Sequence, residues 1–160
     1  MILTAQGMVY EKELAEIREI YINSTPQQRL RFIHMRLNDP NSGPNRLVTV
    51  VSAVEALART LAMHACFSSK SDMTANYPKY RNRKPDDLIC EYLLSKGITD
   101  PKTFFKEDNW LLFDYAVKSR NLLTHECTLL GQDKYPYLTQ VCEEILEALA
   151  KLAGIGKSAS

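Results

Sequence analysis

Between Arg46 and Phe67 the chain reads RLVTVVSAVEALARTLAMHACF. The β-branched opening Val48-Thr49-Val50-Val51 suits a strand, but Val51, Val54, Ala58, Leu61 and Ala65 then recur at the three-to-four-residue spacing of a helix. This is the strongest helical signal in the chain, and the other periodic stretches share its period. From Val9 to Ile22, Leu14, Ile17 and Tyr21 fall on one face and the Glu, Lys and Arg residues on the other. Thr25-Pro26-Gln27-Gln28 then combines an N-cap, a proline at the first helical position and the Gln of a capping box, so a second helix starts there with Leu30, Ile33 and Leu37 inward. His34 stands at the edge of that stripe and reads as a boundary residue.

Asn38 to Asn45, NDPNSGPN, is a turn or loop. Ser68 to Pro85 reads as a long polar loop in which Lys79, Arg81, Arg83 and Lys84 interleave with Tyr77 and Tyr80. Cations beside aromatic rings can hold phosphates and stack unpaired bases, although such a run is more often a solvated loop. Pro85 with Asp86 and Asp87 opens a helix that Gly97 ends, with Leu88, Ile89, Tyr92 and Leu93 facing inward. Asp100-Pro101 starts a short helical turn through Phe104-Phe105, and a longer helix follows from Asp108. Leu138, Val141, Ile145, Leu149 and Leu152 form the stripe of a closing helix that stops at Gly154.

The expected architecture is therefore all-α. Four principal helices form an up-and-down bundle, with shorter helices near the N-terminus and around residues 86–106, in one domain over residues 1–153. Residues 154–160 are expected to form a flexible tail.

One charged arrangement stands out from this pattern. In Trp110–Glu126, WLLFDYAVKSRNLLTHE, Arg120 shares a helical face with Phe113, Ala116 and Val117, so its guanidinium rides on an apolar stripe. An isolated buried cation is costly and Arg cannot shed its proton, so Arg120 calls for an anion. Asn121 and His125, four apart, share a face, whereas Arg120 and His125 differ by roughly 500° of helical rotation. Those two can converge only if the helix kinks or ends between them, or if they meet across two copies of the chain. Glu55 and Arg59, on the border of the long apolar helix, read either as a surface ion pair or as a brace for Arg120 supplied by Glu55.

Arg120, Asn121 and His125 resemble the signature of the HEPN superfamily (higher eukaryotes and prokaryotes nucleotide-binding). These are small all-α domains marked by an Arg, an adjacent polar residue and a His four to six positions on. Val48–Phe67 looks like the second helix of that family, with its inward acidic residue at Glu55, and Tyr137–Leu152 is similar to its closing helix. The resemblance implies a metal-independent endoribonuclease of a toxin, defence or RNA-processing system, acting as a homodimer whose two motifs line one cleft. Arg120, His125 and Asn121 would carry catalysis and Glu55 and Thr124 would support it. The RNA contacts assigned from the basic run are Lys79, Tyr80, Arg81, Arg83 and Lys84. RNA or a nucleotide, and a cognate antitoxin, are the implied partners. The alternative from another class is a non-catalytic helical interaction or nucleotide-binding module, since the superfamily also holds members that do not cleave RNA.

The chemistry stands on its own terms. Histidine titrates near neutrality and serves as general acid or base, a guanidinium fork matches a phosphate, and RNA supplies its own nucleophile in the 2′-OH. Attack by that hydroxyl leaves a 2′,3′-cyclic phosphate and a 5′-OH without a metal or other cofactor.

Bulk composition narrows the alternatives. The chain has 160 residues, 45% hydrophobic and 24% charged, which is ordinary for a globular domain. A net charge of +1 argues against indiscriminate polyanion binding, so any nucleic-acid contact comes from a local patch. The opening MILTAQGM lacks the marks of a signal peptide and no long apolar run is present, which leads to the expectation of a cytoplasmic protein with no membrane partner. Cys66, Cys90, Cys127 and Cys142 are read as reduced thiols. No Gly-rich phosphate loop occurs. The two His-x-Cys pairs, at His64 and His125, lack structural-zinc spacing, so no metal is expected.

Overall fold

The computed structural model describes residues 4–39, 46–106, 108–127 and 131–156. Its helices are α1 (Ala5–Asn23), α2 (Pro26–Leu37), α3 (Arg46–Cys66), α4 (Lys70–Arg81), α5 (Pro85–Ser95), α6 (Pro101–Phe104), α7 (Asn109–His125) and α8 (Tyr135–Leu152). A 3₁₀ turn at Gln132–Lys134 precedes α8, and there is no strand among the described residues.

Helix α3 is the core, because its apolar residues run most of the way round it. Leu47, Val50, Val51, Val54, Leu57, Ala58 and Leu61 are all buried, and α2, α5, α7 and α8 pack against it. By length and composition α3 could also cross a membrane, but 67% of its apolar window is buried inside the fold. The border left for polar residues carries Ser52, Glu55 and Arg59.

The surrounding helices bury the faces their spacing predicts. Leu30, Ile33 and Leu37 of α2 are inside, as are Leu88, Ile89, Tyr92 and Leu93 of α5 and Leu138, Val141, Ile145 and Leu149 of α8. Leu152 packs half-buried against the same cluster, whereas Ala65, at the fraying end of the α3 stripe, is exposed. The start of α2 is a complete capping box: Gln28 N donates to Thr25 Oγ1 at 3.1 Å and Thr25 N to Gln28 Oε1 at 2.9 Å. At the end of α5, Gly97 takes φ +78° and Ile98 N bonds back to the Leu93 carbonyl, the left-handed stop that glycine accommodates without strain. Phe105, just after α6, is buried and stacks on Trp110 at 5.5 Å between centroids, which seats the start of α7.

Helix α1 buries no residue: Leu14 and Ile17, on the apolar face its spacing predicts, are each 61% exposed, and Tyr21 is half-buried. Two expectations need correction. The stretch expected as a loop from Ser68 to Pro85 is largely helix α4. Ser69 caps it by accepting from Asp72 N at 3.1 Å, and Met73, Tyr77 and Tyr80, at helical spacing, turn toward the core. Pro78 and the polar neighbours masked that stripe. The tail is also ordered at its start, because Gly154 (φ +72°) lets Ile155 N bond to the Ala150 carbonyl at 3.0 Å and Ile155 pack on the core. Residues 157–160, and most of the Asn38–Asn45 turn, lie outside the described residues.

Candidate functional site

Arg120 sits where its stripe predicts, on the side of α7 that carries Phe113 and Ala116 toward α3, with its side chain 14% exposed. Its Nη1 donates to Glu55 Oε2 at 3.3 Å and to Ser52 Oγ at 3.2 Å, one turn apart on α3. Its Nε donates to Asn121 Oδ1 at 2.9 Å, which sets the plane of the fork. Glu55 is therefore the anion that Arg120 calls for, and it is also the partner of Arg59, whose Nη2 lies 3.2 Å from Oε1. Glu55 thus pairs with Arg59 and Arg120 at once, and the Arg59 pair is largely buried rather than the surface pair its spacing suggested. Two guanidiniums share a single carboxylate on a border only 11–21% exposed, so this cluster keeps one net positive charge with which to meet an anion.

The remaining contacts brace this arrangement from below. Arg59 Nε reaches the Tyr80 carbonyl at 3.4 Å. Behind Arg120, on α8, the Cys142 thiol is pushed up to about 12, first by burial and then by Glu143, with the Arg120 charge acting in the opposite sense. Asp114, an alternative partner for Arg120, pairs instead with Lys118 at 2.8 Å.

Thr124 does not reach the Arg120 side chain. Its hydroxyl donates back to the carbonyls of Arg120 (3.0 Å) and Asn121 (3.2 Å), so its support is to the backbone of α7. His125 is the last residue of α7, exposed and with no hydrogen-bond partner among the described residues. Because α7 runs unbroken through both residues, Arg120 and His125 point about 140° apart around it and do not converge within one chain. His125 continues an exposed face instead. Leu111, Tyr115 and Leu122 are 46–56% exposed and lie on it at helical spacing, opposite Arg120. A cavity of about 370 Å³ beside α7 includes Asp114 and Val117 but neither Arg120 nor His125.

The basic run divides in two. Lys79, Arg81 and Lys84 are exposed near the end of α4. Tyr80 is 3% exposed, donates to Glu91 Oε1 at 2.9 Å and packs edge-on against Phe67, so no base can stack on it as the chain stands. Burial, with the bonds to Cys66 and Glu91, raises its phenol well above the usual range. Arg83 pairs with Glu91 and lies over the Tyr80 ring. These two residues lock α4 to α5.

Sequence reasoning missed Ser52 and Glu91. Ser52 was detectable as the residue three before Glu55 on one helix face, but nothing local marks Glu91 as the partner of Arg83. Cys66 and Cys127 are exposed, and among the described residues no three His, Cys, Asp or Glu side chains gather as a metal site. His64 bonds to the Ser24 carbonyl at 3.1 Å, a structural contact.

No family model, curated protein or solved structure matches the chain. The functional reading therefore rests on the residues themselves.

Proposed function

We propose that this chain is a HEPN-like four-helix domain and a metal-independent endoribonuclease, acting as a homodimer in which the two Arg120–His125 motifs line one cleft. The observation that carries the reading is the held guanidinium of Arg120. Glu55, Ser52 and Asn121 fix its position while the shared carboxylate leaves a net positive charge. A clamp fixed in advance stabilises charge developing on a phosphate without reorganising at the moment of reaction.

In this mechanism His125 takes the proton of the substrate 2′-OH, and the oxygen attacks the adjacent phosphorus. The bond to the 5′ oxygen breaks, and that oxygen collects a proton from the second histidine of the cleft or from water. The products are a 2′,3′-cyclic phosphate and a 5′-OH. The Arg-to-His angle on an unbroken helix supports a composite site, since a second copy is what brings a histidine toward each guanidinium. The exposed apolar face of Leu111, Tyr115 and Leu122 around His125 lies opposite Arg120, so it is a surface for a further partner rather than for the pairing that completes the site. Lys79, Arg81 and Lys84 would track the RNA backbone, with Arg83 and Tyr80 acting through the fold. A cognate antitoxin covering the exposed His125 face is the matching regulatory partner. That same apolar face also favours the second reading, a non-catalytic interaction module.

The deciding experiment is cleavage of single-stranded RNA by purified protein. Arg120→Ala and His125→Ala should each lower it by about 10²-fold or more. Activity should persist in EDTA, products should end in cyclic phosphate, and 2′-O-methyl at the scissile position should stop cleavage but leave binding intact. Neutralising Lys79, Arg81 and Lys84 together should weaken binding and flatten its salt dependence. Wild-type protein that leaves a broad RNA panel uncut, matching the His125 variant, would refute the nuclease and favour the interaction module.

A further inference from the structure

Helix α1 packs along α4 yet buries none of its own residues. Its far end is anchored: Arg29, 4% exposed, donates to the Tyr21 carbonyl and lies 3.2 Å over the Tyr21 ring, and Ser24 Oγ donates to the Ile20 carbonyl at 2.8 Å. Beyond that anchor the helix runs beside α4 and buries nothing, although Val9, Tyr10, Leu14, Ile17 and Ile20 are 55–63% exposed. Tyr10, Leu14, Ile17 and Tyr21 recur at spacings of four, three and four, the seam of a helix that pairs with another helix. From Tyr21 the seam continues into an apolar groove of about 320 Å³ between α2 and α3, lined by Phe32, Ile33, Val48 and Ala53 and reaching Ser52.

We propose that α1 pairs antiparallel with α1 of a second copy, an association surface distinct from the α7 cleft. The charge pattern selects the occupant. With Leu14 set over Ile17 of the second copy and Tyr10 over its Tyr21, one flank of the seam brings Glu11 of each chain to Arg18 of the other, so two-fold symmetry makes the ion pair twice. The other flank brings Glu13 beside Ile20, a border position that leaves the carboxylate in water. Two helices of 19 residues meeting along this seam, with the mouth of each groove beside them, cover on the order of 1,000 Å², the lower bound of a specific interface. The anchored base means that little ordering entropy is lost on pairing. Because Ser52 belongs both to the groove and to the Arg120 cluster, a copy seated here also lies beside the candidate site.

The proposal extends the assembly proposed above, and its test reads mass rather than cleavage. Light scattering on the full chain at roughly 50 μM is compared with Leu14→Glu/Ile17→Glu, whose core is untouched because α1 buries nothing; circular dichroism checks the fold. The double variant should halve the particle mass, from tetramer to dimer if the α7 cleft also pairs copies and from dimer to monomer if it does not. The two proposals therefore fail separately. Glu11→Arg and Arg18→Glu should each weaken association by about tenfold, and mixing those two variants should restore it, because every flank pair is then opposite in sign. A monomeric wild type, an unchanged mass for Leu14→Glu/Ile17→Glu, or a mixture no tighter than its components would overturn the proposal.

Discussion

Glu55→Gln isolates the charge that holds Arg120, because the amide keeps the shape and one acceptor while removing the carboxylate between two guanidiniums. At 3.2–3.3 Å and an effective dielectric of about 20, each attraction is about 5 kcal/mol before desolvation is subtracted. Exposed pairs retain about 0–1 kcal/mol of this, while breaking a fully buried pair costs about 3–5 kcal/mol. With Arg120 14% and Glu55 21% exposed, the site lies between those limits, and a loss of about 2 kcal/mol is expected. In a domain of this size that lowers Tm by about 4–8 °C. Urea unfolding of Glu55→Gln, Arg120→Met and the double variant gives the coupling directly, and about 1 kcal/mol or more is expected. The same series with Arg59→Met separates the second pair. RNA cleavage by Glu55→Gln should fall about tenfold, less than for Arg120→Ala, since the clamp is loosened rather than removed. A stability change under about 0.5 kcal/mol, or coupling near zero, would refute the view that Glu55 holds Arg120 electrostatically.

Two further outcomes follow from local structure. Thr25→Ala removes one half of the capping box of α2 and should cost about 1 kcal/mol in urea unfolding, with Thr25→Ser nearly neutral. Cys142, pushed up to about 12 by burial, should resist iodoacetamide at pH 8 while the exposed Cys66 and Cys127 react. The thiol ionises more easily in the unfolded chain, so its contribution is complete below the ordinary thiol pKa and is lost as pH rises toward 12. Cys142→Ala should flatten that alkaline fall in stability.

Much of the fold was legible because it is written in local period and caps. The inward faces of α2, α5 and α8, the capping box at Thr25 and the glycine stop at Gly97 need only a few adjacent residues to specify them. Arg120 was legible for a related reason. A cation on an apolar stripe must find an anion, and Glu55 was one of few candidates on the border of a facing helix. Tertiary structure decided what local period cannot express. Leu14, Ile17 and Tyr21 of α1 have the same spacing as Leu30, Ile33 and Leu37 of α2, yet α2 lies on α3 and α1 lies along α4, so identical spacing ends in burial for one and exposure for the other. Tyr80 and Arg83 looked free for RNA until Glu91, eleven and eight residues away on another helix, claimed both. The divergence of Arg120 and His125 follows from an unbroken α7, which the packing of Phe113, Ala116 and Leu123 on the core holds in place.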